Sequence, residues 1–202
     1  MAKDQEPGLV SAPRPADAGP PDAVFKPQVR LSGSVDEKMF AAFQEQFLAA
    51  ADSSNPLVVE LTTVGGDADV GRRIAADIRL YRERTGRTPL FFGKTTVFSA
   101  GATIMAAFRK EDRWMDRHGV LMVHCRKLTK TLELSNFLKA ERPRVEALLA
   151  EIDIGIEVQT WGFRELIAGS DVTLAELEEK AQENWYLTAD QALTRGLIAG
   201  VV

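Results

Sequence analysis

The sequence predicts an α/β domain, because short apolar runs of strand length alternate with segments whose apolar residues recur at helical spacing. The run from Leu57 to Leu61 is followed by the turn-forming pair Gly65–Gly66, and Val70, Ile74 and Ile78 then repeat with a helical period. A strand, a glycine turn and a helix therefore follow one another, and this unit recurs along the chain.

The elements around this unit fit the same class. Ser34 and Glu37 form a capping box ahead of an amphipathic helix. The second unit comprises a strand from Thr88 to Phe92, a turn from Gly93 to Phe98 and a helix of small and apolar residues from Ser99 to Phe108.

The C-terminal half adds a strand, a long helical stretch and two short helices. Val120 to Val123 predicts a buried strand, and Leu132 to Ala168 predicts a helix that Pro143 kinks or divides, because proline lacks an N–H. The remaining signals are the capping boxes Thr173 with Glu176 and Thr188 with Gln191, the helix-ending Gly196, and a closing strand from Leu197 to Val202.

Composition and charge exclude several classes of function. A chain of 202 residues with 45% hydrophobic side chains is sufficient for one domain with a sizeable core, and a net charge of -4 gives no broad positive field for nucleic acid. Charged residues interrupt every apolar run, and the lone Cys125 cannot form an internal disulfide. We therefore expect a soluble, cytoplasmic protein without membrane or nucleic-acid partners.

Residues 1–28 are predicted to form a mobile arm, and residues 29–202 the folded domain. Six of the nine prolines lie before Val29, in a stretch whose only aromatic residue is Phe25. Such a segment buries too little apolar surface to offset the entropy of ordering it.

Ser99 stands between a predicted strand and a predicted helix, where a serine side chain most often caps the helix. The same place suits a nucleophile, because a helix N-terminus favours negative charge and the N–H of Ala100 lies where an oxyanion would form. Gly101 and Ala102 leave room for the backbone of a substrate. On its own, Ser99 fits either role.

Of the two histidines, His124 is the candidate base. His118 lies in a polar turn, whereas His124 ends the apolar strand that starts at Val120, where its side chain can emerge beside a neighbouring strand end. A histidine at a strand end is commonly structural, but a serine nucleophile needs a base within hydrogen-bond reach. A serine at a helix start and a histidine at a strand end form such a pair.

The Gly65–Gly66 pair lacks both the glycine spacing of a dinucleotide fingerprint and the Gly-Lys-Ser/Thr of a P-loop. It fits a turn without function. It also fits an acyl-transfer site, in which Gly66 presents a second N–H to the oxyanion without a Cβ in the way.

From Val29 to Val202 the chain resembles the Clp protease proteolytic subunits, a branch of the crotonase-like fold. The similar motifs occur in the family's order: Val29 to Val35, Gly65–Gly66 with Gly71, Ser99 to Ala102, Met122 to His124, Tyr186 to Ala189, and Ala192 to Leu197. The interval between Ser99 and His124 is also that of the family. The resemblance implies a serine endopeptidase without a cofactor or metal, with Ser99 as nucleophile, His124 as base, and Gly66 and Ala100 as the oxyanion hole.

The family's third catalytic residue, an aspartate, falls here on Asn184. An asparagine carbonyl can orient an imidazole, as in Cys-His-Asn peptidases, but it supplies no charge to stabilise an imidazolium. Glu183 and Asp171 are the alternatives for this role, although Asp171 also fits an ordinary polar turn. Asn184 is the first choice of the three.

Two further departures from the family flank the site. Phe98 replaces a small residue before the nucleophile, and Cys125–Arg126 replaces a Gln-Pro pair after the histidine. Arg126, Lys127 and Lys130 make a short basic run, for which we expect a solvated loop.

The resemblance implies a homo-oligomer of stacked rings, with the helical stretch from Leu132 as the ring-to-ring handle and an AAA+ unfoldase as partner. A Clp-like ring scaffold with weakened catalysis is a second hypothesis, which Asn184 motivates. A crotonase-type coenzyme-A hydratase or isomerase is a third. Such enzymes depend on positioned carboxylates, whereas the constellation here is a serine and a histidine.

Overall fold

The fold is described by a computed structural model that covers residues 20–53 and 55–202. Its strands are β1 (Val29–Ser32), β2 (Val58–Thr63), β3 (Leu90–Phe98), β4 (Arg113–Met115), β5 (Val120–Val123), β6 (Trp185–Thr188) and β7 (Gly200–Val201). Its helices are α1 (Glu37–Ala51), α2 (Ala68–Thr85), α3 (Ala100–Ala106), α4 (Leu138–Ile167), α5 (Leu174–Ala181) and α6 (Ala189–Thr194). Short 3₁₀ helices span Asp22–Phe25 and Lys110–Asp112.

Strand β3 lies at the centre of the sheet because it borders three other strands. Its first half pairs in parallel with β4 and its second half pairs in parallel with β5. β2 lies along its other edge, β1 pairs with β2, and β7 extends the sheet beyond β4, all in parallel. β6 is the antiparallel partner of β5. The predicted α/β class is confirmed.

The two faces of the sheet bury separate clusters. Helices cover the main core, to which the strands contribute residues such as Val59 and Phe91. Their neighbours along the strands, which point to the opposite face, form a smaller cluster of Val24, Val58, Leu90, Phe92 and Trp114.

The first 3₁₀ helix corrects the predicted domain boundary. Val24 is fully buried in the smaller cluster, so the packed structure begins before Val29. Its apolar side chain covers the outer face of β2 and β3, a contact that proline content does not reveal. Residues 1–19 of the predicted arm lie outside the described residues.

The predicted turn from Gly93 to Phe98 is wrong, because β3 continues through these residues. Lys94 and Thr95 are exposed and polar, which is typical of a turn. Thr96 nevertheless pairs with Val120, and the ladder to β5 runs on to Phe98. Pairing with a strand far along the chain therefore overrides the local signal.

Helix α1 begins differently from the prediction. Asp36, not Ser34, is its N-cap, and the Asp36 carboxylate accepts the N–H of Met39 at 2.9 Å. Val35 forms a bridge with Gly66, which keeps the preceding residues extended. Ser34 therefore lies too early to cap the helix.

The two C-terminal capping boxes have different outcomes. The reciprocal box of Thr188 and Gln191 is confirmed. Thr173 caps α5 through the N–H of Glu176, but the Glu176 carboxylate is held by Arg195 instead of returning to the cap. The paired guanidinium lowers the pKa of Glu176 to about 2.

The closing segment is only partly strand. Gly196 adopts a left-handed backbone after α6, as predicted, but the strand is confined to Gly200–Val201 rather than running from Leu197 to Val202. The short strands β4 and β6 have no counterpart among the sequence predictions.

Within residues 20–53 and 55–202, no helix is long and apolar enough to cross a membrane.

Helix α4 is a single helix of 30 residues that starts at Leu138, not Leu132. Pro143 lies inside it without dividing it. The Glu141 carboxylate accepts the N–H groups of Ser135 and Asn136, and this holds the entering chain in a non-helical conformation.

Most of α4 contributes little to the core of the domain. Its buried apolar residues are Phe163 and Leu166, both in the last turns. The exposed apolar residues on α4 and the segment before it are Leu128, Leu132, Leu134, Phe137, Leu138, Leu149, Ile152, Ile154, Ile156 and Trp161. Exposed apolar side chains concentrated on one element commonly mark an interaction surface.

The carboxyl end of α4 is anchored by the buried side chain of Arg113. Its guanidinium donates to five main-chain carbonyls, those of Ala106, Phe108, Glu165, Leu166 and Leu197. Burial lowers the pKa of Arg113 to about 10. The carbonyls of Ala106, Phe108, Glu165 and Leu166 lie at the carboxyl ends of α3 and α4 or just after them, where a cation is favoured. Arg113 thereby fixes both helices around the site described next.

Candidate active site

Ser99 occupies a strained turn between β3 and α3. Its φ of 56° and ψ of -112° are unusual for a residue with a side chain, and the side chain makes no capping hydrogen bond. Such a backbone costs about 1–3 kcal/mol and is found mostly at functional sites. The capping interpretation of Ser99 is therefore wrong, and its hydroxyl is available for other chemistry.

Gly65 allows the neighbouring loop to approach Ser99. A Cβ on Gly65 would lie 2.8 Å from the Cβ of Ser99 and 3.3 Å from its Oγ, and Gly65 has a φ of +102°. Any other residue would clash with the serine and strain the loop. The glycine pair after β2 is therefore required by the position of Ser99.

Two residues that line the cleft beside Ser99 have unbonded backbone N–H groups. Gly66 and Ala100 both line it, and their N–H groups have no acceptor in the part of the chain that the structure describes. A Cβ on Gly66 would lie 2.3 Å from the Val35 carbonyl oxygen, so this residue also must be glycine. The two donors are the pair that the sequence predicts for an oxyanion hole.

His124 lies directly after β5 and lines the same cleft as Ser99. Its Nδ1 is 2.6 Å from the main-chain carbonyl oxygen of Cys125. Because a carbonyl only accepts, Nδ1 carries the proton of the neutral ring, and Nε2 is left as the acceptor. This is the tautomer that a general base for serine requires.

Ser99 and His124 are not hydrogen-bonded to each other in this conformation. The structure records the contact of His124 with Cys125, but none between its ring and the Ser99 hydroxyl. Catalytic hydrogen bonds are often long or unformed before substrate binds, and they tighten in the complex. The cleft therefore holds the predicted nucleophile and base without a hydrogen bond between them, an arrangement termed the open state.

Asn184 lies across the β5–β6 ladder from His124. The ladder ends where Val123 pairs with Trp185, and Asn184 directly precedes Trp185 at the start of β6. Asn184 is exposed, has a left-handed backbone with φ 66°, and its side chain has no hydrogen bond to His124. In the open state the Cys125 carbonyl accepts the hydrogen bond of His124 Nδ1 that a third catalytic residue would accept.

The two alternatives to Asn184 have different surroundings. Asp171 accepts a hydrogen bond from Arg195 at 2.8 Å, within a cluster that also contains Glu176, and it does not line the cleft. Glu183 is exposed and does not line the cleft, and the same is true of Asn184.

Cys125 does not line the cleft either. Its sulfur faces the Glu178 carbonyl at 4.0 Å, and burial raises the pKa of the thiol. A thiol of this kind is a poor nucleophile. Among the described residues there is no cluster of side chains suited to a metal ion.

The cleft also contains an ion pair that the sequence did not predict. Both guanidinium N–H₂ groups of Arg126 donate to the carboxylate of Asp69, at 2.8 and 3.1 Å. The pair raises the pKa of Arg126 and lowers that of Asp69. Arg126 therefore lies in the site and not in a merely solvated loop. The available signal was its place two residues after His124, which puts both side chains on one side of an extended segment.

Two curated proteins are similar in sequence to most of this chain. No protein-family model matches it. The ATP-dependent Clp protease proteolytic subunit 2 of Treponema pallidum is 24% identical over 184 residues, which cover 87% of this chain and 81% of the relative. The protein of the same name from Pseudomonas aeruginosa is 23% identical over 176 residues, with 87% and 80% covered.

A solved structure shares the fold. It is an asparagine-to-aspartate mutant of ClpP1 from Listeria monocytogenes, with a TM-score of 0.68 and 19% sequence identity over 89% of this chain and 92% of that chain. The predicted crotonase-like Clp fold is thereby confirmed. In sequence and in fold, the chain is similar to the Clp protease proteolytic subunits.

Proposed function

We propose that the protein is a serine endopeptidase of the Clp type, which cleaves peptide bonds through an acyl-enzyme on Ser99. The observation that carries this proposal is the strained Ser99 turn, which directs an uncapped hydroxyl to a cleft lined by His124 and two free N–H groups. The cleft has a volume of about 850 Å³, which is ample for several residues of an extended peptide.

Each component has a defined role in the proposed reaction. Nε2 of His124 takes the hydroxyl proton as Ser99 Oγ attacks the peptide carbonyl, and it later gives that proton to the leaving amine. The N–H groups of Gly66 and Ala100 bind the oxyanion, and each such donor contributes a factor of roughly 10² to 10³ in kcat. A water molecule activated by His124 then releases the acyl group from Ser99.

We expect Ser99→Ala to abolish the hydrolysis of small fluorogenic peptides, with a loss of about 10³-fold or more, because the nucleophile is removed. Stability should change little, since the Ser99 side chain makes no capping bond. The measurement is peptide turnover by purified parent and variant at equal assembly size.

Ser32→Ala is the matched control, because Ser32 is an exposed serine at the end of β1. It should retain full turnover. Equal turnover by the parent and Ser99→Ala would rule out Ser99 as the nucleophile.

Closure of the site requires the His124 ring to turn towards Ser99, because no hydrogen bond joins the two in the open state. The turn would release Nδ1 from the Cys125 carbonyl, and a new acceptor is then needed to hold the tautomer. We assign this role to Asn184, whose place across the ladder supports it.

The test of Asn184 compares the parent with Asn184→Asp and Asn184→Gly. Aspartate should raise kcat by about 10-fold or more, because exchanging aspartate for asparagine costs up to about 10⁴ in Ser-His-Asp peptidases. Glycine removes the side chain while tolerating the left-handed backbone, and it should lower kcat. If kcat is the same for all three while Ser99→Ala is inactive, Asn184 has no part in the triad.

We further propose that the subunits assemble into stacked rings in the cytoplasm and receive substrate from an AAA+ unfoldase. The relatives are named as subunits of an ATP-dependent protease. The exposed apolar surface of α4 and its preceding segment supports self-association, because water contact with such a surface is unfavourable.

Light scattering at micromolar concentration tests the assembly, and the mass should be many times that of one chain. Ile152→Glu together with Ile156→Glu should reduce it, because both residues are exposed on α4 and would place charge in the contact. A monomeric parent chain would contradict the proposed rings.

The scaffold hypothesis is favoured by the open Ser99–His124 geometry and by an asparagine at the third position. It predicts assembly without turnover, so the same measurements distinguish the two. The coenzyme-A hypothesis requires a free carboxylate in the cleft, and none is found among the described residues. Of the acidic residues lining the cleft, Asp67 caps α2, Asp69 binds Arg126, and Glu165 binds Arg79.

A further inference from the structure

Arg126 joins the opposite walls of the cleft. Its guanidinium reaches the Asp69 carboxylate at the start of α2, and its main-chain N–H donates to Gln159 on α4 at 2.6 Å. Asp69, Arg126 and Gln159 line the cleft together with Ser99 and His124. An occupant that contacts Ser99 would therefore meet the Arg126 guanidinium.

The cleft has a positive balance of charge, although the chain carries a net charge of -4. Its charged lining residues are Arg72, Arg79, Arg126, Lys127, Asp67, Asp69 and Glu165. Asp67 and Glu165 are already engaged, by the start of α2 and by Arg79. One carboxylate, that of Asp69, is thus shared by the guanidinium groups of Arg72 and Arg126.

The shared carboxylate is easily replaced. The Asp69 side chain is 60% exposed, and that of Arg126 is 32% exposed. Ion pairs that are this exposed contribute little to the free energy of folding, because water and salt screen them. A carboxylate of a bound molecule can therefore displace the Asp69 carboxylate and bind the Arg126 guanidinium with the same bidentate geometry.

Lys127 adds a second cation beside Arg126. It lines the cleft, and no carboxylate contacts it among residues 20–53 and 55–202. The site thus offers an incoming acidic side chain one bidentate partner and one nearby positive charge.

We propose that Arg126 is a specificity-determining residue that binds an acidic side chain of the peptide, close to the scissile bond, in exchange for Asp69. The inference rests on the proposed function in taking a peptide as the occupant of the cleft. Asp69 then acts as an internal substitute for the substrate carboxylate, which keeps the guanidinium in position while the cleft is empty.

The test measures binding separately from hydrolysis. Fluorescent peptides that differ only in Glu or Gln, exchanged at successive positions on either side of the scissile bond, are titrated into the Ser99→Ala assembly. At one or more positions the Glu peptide should bind on the order of 5-fold more tightly, and added salt should reduce the preference.

Two further substitutions on this background identify the residue responsible. Arg126→Gln should reduce the ratio of Glu to Gln binding to about one, whereas Asp69→Asn should increase it because the competing carboxylate is lost. The matched control is Arg84→Gln, which removes the same charge from an exposed position at the far end of α2, outside the cleft. It should leave the ratio unchanged.

The outcomes separate this inference from the proposed function. Equal binding of Glu and Gln peptides at every position, no binding of either, or a preference that survives Arg126→Gln would overturn the inference, whatever the parent hydrolyses. A preference that depends on Arg126, in an assembly whose parent chain cleaves neither peptide, would support the inference and contradict the peptidase. A kcat/KM ratio in the parent that follows the binding ratio would support both.

Discussion

The contact between Gly65 and Ser99 is the constraint on which the site depends. The serine can take its strained conformation at the end of β3 because the loop after β2 has no Cβ at the point of contact. The same loop brings Gly66 to the lining of the cleft, which Ala100 also lines. One close approach therefore positions both the hydroxyl and the groups that would bind the oxyanion.

The sheet explains why these residues meet although they are far apart in sequence. β2, β3 and β5 are neighbouring parallel strands, so their carboxyl ends lie at one edge of the sheet. Ser99 and His124 follow the ends of β3 and β5 directly, and Gly65–Gly66 follows the end of β2 after one residue. Binding sites of open α/β sheets commonly occur at such an edge. Arg113 stabilises the packing of α3 against α4, because its guanidinium donates to main-chain carbonyls at the carboxyl ends of both helices.

The sequence predicted those features that depend on short segments. Ser99, Ala100, Gly66 and His124 could be identified because each lies where a strand ends or a helix begins, and these boundaries leave a local signal. The same reasoning failed where a distant partner decides the outcome. Lys94 and Thr95 have the composition of a turn, yet pairing of the following residues with β5 keeps them in a strand.

The ion pair across the cleft was missed for a similar reason. Arg126 and Asp69 are 57 residues apart in the sequence, and nothing near Arg126 in the sequence indicates a carboxylate partner. The acceptor of the His124 proton was also missed, because a main-chain carbonyl has no signature in the sequence. Both features require the fold to be known before they can be stated.

The most direct test of the account is covalent labelling of the assembled protein with a fluorophosphonate, followed by identification of the modified residue by mass spectrometry. The account predicts modification of Ser99, because a fluorophosphonate reacts with a serine that a base activates next to an oxyanion hole. Labelling should be lost in a folded His124→Ala variant. A folded assembly in which Ser99 stays unmodified, or in which another serine is labelled instead, would contradict it.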